Sequence, residues 1–368
     1  MNRKKIIFFI GFYPQIVGGA EYQCRLIADN LKNEYQIIFI SYGHNNNLTE
    51  YIDGYKVYKI SLKNYFFHRL TFYYFISIKI KKIIKVENPE LIYQRILNSF
   101  SYYLSNISLK RKIPFVLHVA DNKCLLFKDH KFSTKARKIF FKSINNSSPN
   151  YICQSEDQFN LLSKYGTFNS IIVPNLHKQL YFNYPKIKTR NIVWIANVRE
   201  FKQLDIFIKL SKLMAEYNTF VFNVVGNINS DKYGKKLLNS MNESPIVYHG
   251  KKSNEWINRF LYESLVLINT SLPNSEGLPN TFIQSWLAGT PVISLNEDPN
   301  GYITRNKLGY CCNGNFECLI KSIIHIDQMP LEEYIQLSNN CINFAVNEFD
   351  VDTNINKINN LFKSFFIK

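Results

Sequence analysis

The chain is as informative in what it lacks as in what it holds. Its seven cysteines (Cys24, Cys124, Cys153, Cys311, Cys312, Cys318 and Cys341) include no C-x-x-C pair and are odd in number. That excludes the usual zinc and redox spacings and fits a reducing compartment with buried or idle thiols. No apolar run is long enough to cross a bilayer. The best stretch, residues 65–84, is interrupted by Arg69, Lys79, Lys81 and Lys82, and its longest uncharged run falls well short of about 20 residues. The start imitates a signal peptide, with Arg3, Lys4 and Lys5 before an apolar run over 6–10. That run is short, however, and Gly11-Phe12-Tyr13-Pro14 follows with no small-residue cleavage site. It reads as a first buried strand, and the chain reads as soluble. There is no zinc-finger, homeodomain or RRM signature to accompany the charge, so nucleic acid is not the first choice of partner. No dinucleotide G-x-G-x-x-G, no compact Asp-x-Asp and no histidine cluster is present, which argues against an NAD site and a divalent-ion site. No internal repeat occurs, and the only low-complexity tract is Asn45-Asn46-Asn47, a predicted loop.

What is present is length, apolar mass and lopsided charge. At 368 residues, 46% of them apolar, the chain can build two cores of about 180 residues each. The formal net charge is +17, with 26 Lys and Arg against 11 Asp and Glu in residues 1–180, and 19 against 17 in the remainder. The first half therefore faces something anionic, such as a membrane leaflet or a phosphate-bearing substrate. Short apolar strands alternate with amphipathic helices almost throughout. Strands are predicted over 6–12, 36–41, 55–60, 91–94, 114–119, 151–154 and 170–173, then over 192–196, 220–225, 246–248, 265–269 and 292–294. This is the pattern of parallel sheets covered on both faces, an α/β doubly wound architecture. Asn175, Tyr184-Pro185 and a basic polar run break it over 176–190, where the linker is placed. The expected domains are 1–177 and 178–350, with a C-terminal helix over 351–368 that returns to the first domain. Two such domains in tandem would place a ligand outside the carboxyl ends of their strands.

The most informative stretch is 269–301. It reads as a strand end, a loop carrying Glu276-Gly277-Leu278, and a helix entered at Pro279-Asn280-Thr281. Proline suits a helix's first turn and Asn or Thr can cap it, while the uncovered N–H groups there suit a diphosphate. Gln284 lies further along the helix, within reach of a ribose. Arg199 and Lys202 follow the first strand of the second half, where two cations can neutralise a leaving diphosphate; a solvated basic loop is the plainer reading. Gly18-Gly19 opens a helix after the first strand, allowing close backbone approach to a phosphate, and is equally well a plain turn. His118 and Asp121 lie at and just past a strand end. A helix predicted over 66–86 carries Tyr and Phe with Arg69, Lys79, Lys81, Lys82 and Lys85, and fits either an anionic bilayer surface or a core helix with a basic edge.

Taken together, 269–301 resembles family 4 of the retaining glycosyltransferases, of GT-B fold: two Rossmann-like doubly wound domains facing each other across a cleft. The match lies in Glu276-Gly277-Leu278-Pro279 and Ala288-Gly289-Thr290-Pro291-Val292. The family's second Glu, eight residues after the first, is Gln284 here, and the Gly that often follows the diphosphate-binding Lys is Gln203. The resemblance implies that Glu276 contacts the donor sugar, and that Arg199 and Lys202 bind the diphosphate. His118 would join Glu276, Arg199 and Lys202 as a catalytic residue; the stretch Gly277 to Thr281 and Gln284 would bind the donor, with Gly18, Gly19 and Asp121 on the acceptor or phosphate side. Val173-Pro174-Asn175 matches a family turn of positional role.

The resulting expectation is transfer of a sugar, with retained configuration and without a metal or cofactor, from a nucleotide-sugar (UDP-sugar first). The acceptor would be a glycan or lipid-linked glycan in surface polysaccharide assembly, such as lipopolysaccharide or capsule. The expected location is cytoplasmic and peripheral on the inner face of the cytoplasmic membrane. Rival readings are a GT-B nucleotide-sugar epimerase, which needs no acceptor, and a silent subunit of a partner transferase, motivated by Gln284. A nucleic-acid binder would show steeply salt-dependent affinity.

Overall fold

The computed structural model describes residues 3–16, 18–63, 68, 71, 73–122, 124–126, 132–145, 149–217 and 219–367. The chain divides into two compact units, one of Met1–Leu176 with Val351–Lys368 and one of His177–Asp350.

The first unit is built on an eight-stranded sheet of order β3-β4-β2-β1-β5-β6-β7-β8. In chain order these are β1 (Lys4–Phe9), β2 (Tyr35–His44), β3 (Leu48–Ile52), β4 (Tyr55–Ser61), β5 (Leu91–Arg95), β6 (Phe115–His118), β7 (Asn150–Cys153) and β8 (Ser170–Ile172). All neighbours are parallel except β3 and β4. That antiparallel edge was not anticipated, although its signal is in the sequence. Asp53-Gly54 forms a two-residue hairpin loop with φ of 50° and 83°, the left-handed pair such a loop demands. Side-chain alternation then splits the core. Ile6 and Phe8 join α1 (Gly19–Leu31) on one face, while Ile7 and Phe9 join α2 (Tyr74–Glu87), α3 (Ser99–Arg111), α4 (Phe132–Asn145) and α5 (Glu156–Ser163) on the other. The C-terminal helix, Val351–Ser364, adds Ile355, Ile358 and Phe362 to the first of these faces. Its Asn359 accepts from Tyr35 Oη at 2.7 Å and donates to Glu34 at 2.7 Å.

Helix α2 has one buried core face and one exposed basic, aromatic face. Ile76, Ile80 and Ile84, four apart, are buried in the core, whereas Tyr74, Phe75, Ile78, Lys79, Lys81, Lys82, Lys85 and Val86 are exposed. It is shorter than the predicted 66–86; Arg69 and most of 64–72 lie outside the described residues. No helix among the described residues is long and apolar enough to cross a membrane.

The second unit carries six parallel strands in the order β11-β10-β9-β12-β13-β14. They are β9 (Asn191–Ile195), β10 (Val221–Val225), β11 (Ile246–Tyr248), β12 (Val266–Asn269), β13 (Val292–Ser294) and the unanticipated edge strand β14 (Gly309–Cys311). Numbered within the unit, this is the 3-2-1-4-5-6 order of dinucleotide-type folds. The helices are α6 (Leu204–Met214), α7 (Lys232–Asn242), α8 (Asn254–Tyr262), α9 (Asn280–Leu287), α10 (Tyr302–Arg305), α11 (Phe316–Gln328) and α12 (Leu331–Glu348).

Two features hold the motif segment in place. Gly289, φ 66°, ends α9 in the left-handed region, and any Cβ there would collide with Ser338 of α12. Lys186 threads its ammonium among Tyr262 O at 2.6 Å, Thr290 Oγ1 at 2.6 Å and Ser264 O at 3.1 Å, tying the end of α8 to the segment after α9.

The cysteine expectation needs one correction. Cys312 and Cys318 are disulfide-bonded across the turn that leads from β14 into α11. The five intervening residues, turn and first helical positions, bring the two Cα atoms to 5.4 Å, a geometry that no short-spacing rule captures. Cys24, Cys153 and Cys341 are buried free thiols.

Candidate functional site

In the second unit β9 and β12 are neighbours, but the chain leaves them in opposite directions, toward β10 and toward β13. In an α/β sheet such a reversal is where ligands are held, beyond the carboxyl ends of the strands. Both candidate loops start there.

After β9 the chain makes a 3-10 turn, Glu200–Lys202, closed by Gln203 at φ 48° and ψ 52°. The left-handed conformation that favours glycine is thus kept, with Gln203 bearing a strain of roughly 1 kcal/mol. The turn is clamped by the strand beside it. Trp194 Nε1 donates to Thr270 Oγ1 at 2.9 Å, that hydroxyl lies 2.7 Å from Lys202 O and 2.9 Å from Gln203 O, and Leu272 N donates to Phe201 O at 2.8 Å. Lys202 consequently reaches Glu276, with which it forms an ion pair. The two side chains are only 18% and 11% exposed, so the pair is shielded from solvent. Ser271 Oγ donates to the same Glu276 oxygen at 2.5 Å. Arg199 heads the turn and is exposed; among the described residues no ion pair links it to Glu276.

Gly277, Leu278 and Pro279 are buried and deliver the chain to α9. Neither Asn280 nor Thr281 caps it, contrary to the sequence expectation. Pro279 occupies the cap position with φ −62° and ψ 126° and makes no side-chain cap bond. Asn280 turns instead toward His177 Nε2, 3.1 Å away. Burial lowers the His177 imidazole to about 4, against the opposing bond from Asn280, so the ring is neutral. Thr281 is half-buried in the first turn. One turn on, Gln284 is 6% exposed and its amide donates to Asn258 Oδ1 of α8 at 2.9 Å.

Sequence reasoning missed Glu297. It stands just beyond β13 and is 6% exposed. One carboxyl oxygen accepts from Ser275 N at 2.8 Å, Ser275 Oγ at 3.3 Å and Glu276 N at 3.3 Å. Burial, with the charge of Glu276 beside it, pushes this carboxyl up to about 7, against the pull of the two backbone N–H groups. The available signal was its position, an acid three residues past a buried strand end.

The first unit has its own reversal, between β1 and β5. After β1, Gly18 is extended (φ −162°) and caps α1, which begins at Gly19. The Glu21 carboxylate lies where a side chain on Gly18 would go, so the start of α1 already faces an acid of its own first turn. At the end of β5 sits Arg95, also missed, a guanidinium only 1% exposed. It donates to Asn175 of the Val173-Pro174-Asn175 turn and to His118, 3.1 Å away, and its Nε has no partner among the described residues. His118 is 1% exposed and also meets Tyr93 Oη at 2.8 Å. Burial, with the Arg95 charge adding to it, holds its imidazole well below the usual range. Contact between His118 and a substrate would require these partners to move. Asp121 accepts from Cys124 N at 2.9 Å and shapes the turn after β6. Among the described residues no cluster of three metal-type ligands occurs.

Two doubly wound sheets with a carboxylate, a cation and a helix start gathered at a strand reversal define a Rossmann-type ligand-binding class. The family model described as "Glycosyl transferases group 1" matches residues 189–327, and that described as "Glycosyl transferase 4-like" matches 17–148, together more than half of the chain. The chain belongs to the glycosyltransferases of the family 4 kind and has the GT-B fold. No curated protein matches it. Among solved structures it is similar to HepE of Anabaena, in complex with UDP-glucose, with a TM-score of 0.78 and 16% identity over 98% of this chain and 99% of that one. It is also similar to an alpha,alpha-trehalose-phosphate synthase (UDP-forming) of Burkholderia xenovorans, with a TM-score of 0.75 and 10% identity over 98% and 100%. A third is the pneumococcal O-GlcNAc transferase GtfA in complex with UDP and GlcNAc, with a TM-score of 0.72 and 10% identity over the full length of both chains.

Proposed function

We propose that the chain transfers a sugar from a nucleotide-sugar, a UDP-sugar first among them, to a glycan or lipid-linked glycan acceptor, with retained anomeric configuration. The observation that carries this reading is the Lys202–Glu276 pair at the β9/β12 reversal, set before the uncapped start of α9.

In this reading Glu276 accepts hydrogen bonds from hydroxyls of the donor sugar, while Lys202, Arg199 and the first N–H groups of α9 meet the charge that develops on the departing diphosphate. The acceptor hydroxyl attacks the anomeric carbon from the face the diphosphate leaves. A departing phosphate oxygen takes the acceptor proton, so the new glycosidic bond forms as the sugar–phosphate bond breaks. Gln284 binds the ribose through its side-chain oxygen, its amide being given to Asn258. These chain groups supply the positive charge that a metal would otherwise bring. Arg95 and His118 stiffen the strand ends of the first unit rather than touch the donor. UDP complexes of the similar HepE, and of GtfA, support a uridine donor.

The exposed lysines and aromatic side chains of α2, with the net positive charge of the first half, support a peripheral site on an anionic leaflet, where a lipid-linked acceptor for surface polysaccharide assembly would be met. A thermal-shift screen of UDP, GDP, ADP and their sugars tests the donor reading. A rise with one base and its sugar supports it; no rise with any nucleotide overturns it.

A further inference from the structure

Glu297 lies outside Glu276-Gly277-Leu278-Pro279 and Ala288-Gly289-Thr290-Pro291-Val292, the two runs that match the family, yet it holds the backbone of the residue at the centre of the site. Its carboxyl oxygen gathers Ser275 N at 2.8 Å and Glu276 N at 3.3 Å, and its own N–H is held by Ser294 Oγ at 2.9 Å at the end of β13. The Glu276 side chain is meanwhile drawn the other way, to Lys202 and Ser271.

We propose that Glu297 is a positioning residue that sets the direction of Glu276, by fixing the Ser275–Glu276 backbone to the end of β13, and so governs how tightly the sugar of the donor is held. The inference rests on the donor reading above. Two N–H groups on consecutive residues, one buried and one partly buried, need acceptors, and one carboxyl anchored to a strand serves both. Glu297 is itself buried and its carboxyl is raised to about 7 by that burial, with Glu276 adding to it. The side chain is therefore retained in a place where its charge is disfavoured. The other charged groups nearby are otherwise engaged: Asp298 bonds Ile303 N and Thr304 Oγ1 at 2.7 and 2.8 Å, and Lys202 pairs with Glu276. The Cys311 thiol, near both acids, is raised mainly by its own burial.

Calorimetric titration of UDP, GDP and ADP, each with and without attached glucose, into wild type, Glu297→Gln and Glu297→Leu separates the possibilities. Amide exchange at Ser275 and Glu276 is followed in parallel, with Glu297→Ala in reserve should the Leu variant fail to fold. In Glu297→Leu the sugar nucleotide should weaken about tenfold toward the affinity of its bare diphosphate, while the bare diphosphate is unchanged and protection of the two amides falls. Glu297→Gln, which keeps an acceptor oxygen, should restore both. Wild type binding no nucleotide overturns the donor reading itself. Wild type binding a sugar nucleotide while Glu297→Leu or Glu297→Ala keeps the same preference overturns the role of Glu297 alone.

Discussion

Lys202 and Glu276, 74 positions apart, form an ion pair because each stands on the loop that leaves one of two adjacent strands, β9 and β12, at the point where the sheet order reverses. The pairing is a product of topology and of a local clamp. Thr270 holds the carbonyls of Lys202 and Gln203, and Trp194 holds Thr270. Charge of both signs is thereby kept within reach of the start of α9.

Lys202→Ala should slow sugar transfer at least tenfold, since removing one donor that stabilises a leaving group commonly has an effect of this size or larger. Steady-state transfer assays at saturating donor measure it directly. A rate within twofold of wild type would remove Lys202 from the mechanism.

Glu297→Gln should change how stability depends on pH. The carboxyl titrates near 7 in the folded chain, above its ordinary value of 4.5. Between those two pH values the folded state keeps a proton that the unfolded state has released, so this group lowers stability as pH rises through the window. The Gln variant lacks that loss. Relative to wild type it should gain on the order of 2 kcal/mol between pH 5 and pH 8, read from urea unfolding at both. An equal difference at the two pH values would show that Glu297 titrates normally.

Lys186→Met should lower stability by about 2 kcal/mol, because it takes the ammonium donor from the buried carbonyl of Tyr262 and from Ser264 O, while Thr290 Oγ1 keeps its bond to Leu261 O. Denaturant unfolding of the two proteins provides the comparison. A loss below about 0.5 kcal/mol, the range of ordinary surface substitutions, would contradict the packing role.

Changing Lys79, Lys81 and Lys82 together to Glu should weaken binding to phosphatidylserine vesicles by a hundredfold or more, at about 1 kcal/mol for each lysine lost. All three are exposed on α2 opposite its buried isoleucines, so folding should be preserved. Sedimentation with vesicles at physiological salt reads the change, and unchanged partition would assign this face to solvent.

Much of this was legible in the sequence, for stated reasons. Parallel strands buried on both faces, such as Ile6 to Phe9 or Val266 to Asn269, announce themselves as short apolar runs between helices, so the α/β class and most strands could be placed. Of the four edge strands, β8 and β11 could be placed but β14 and β3 could not: β14 is three half-buried residues, and β3 is an exposed strand whose only mark is Asp53-Gly54. Within the site, Glu276, Gly277 and Pro279 stood out through a contiguous motif. Glu297, Asn258 and His177 did not, because each acts by contact across 21 to 103 positions that only the fold closes. Arg95 was likewise hidden, a cation at a strand end whose burial depends on Asn175, 80 positions later. The cap of α9 was misjudged because Pro279 takes the position itself.

The account is tested most directly by a crystal structure with the nucleotide-sugar selected by the screen. It should place the diphosphate within about 3 Å of Lys202 Nζ and the first N–H groups of α9, with a sugar hydroxyl on the Glu276 carboxylate. A donor bound elsewhere on the second unit, with the Lys202–Glu276 pair untouched, would contradict it.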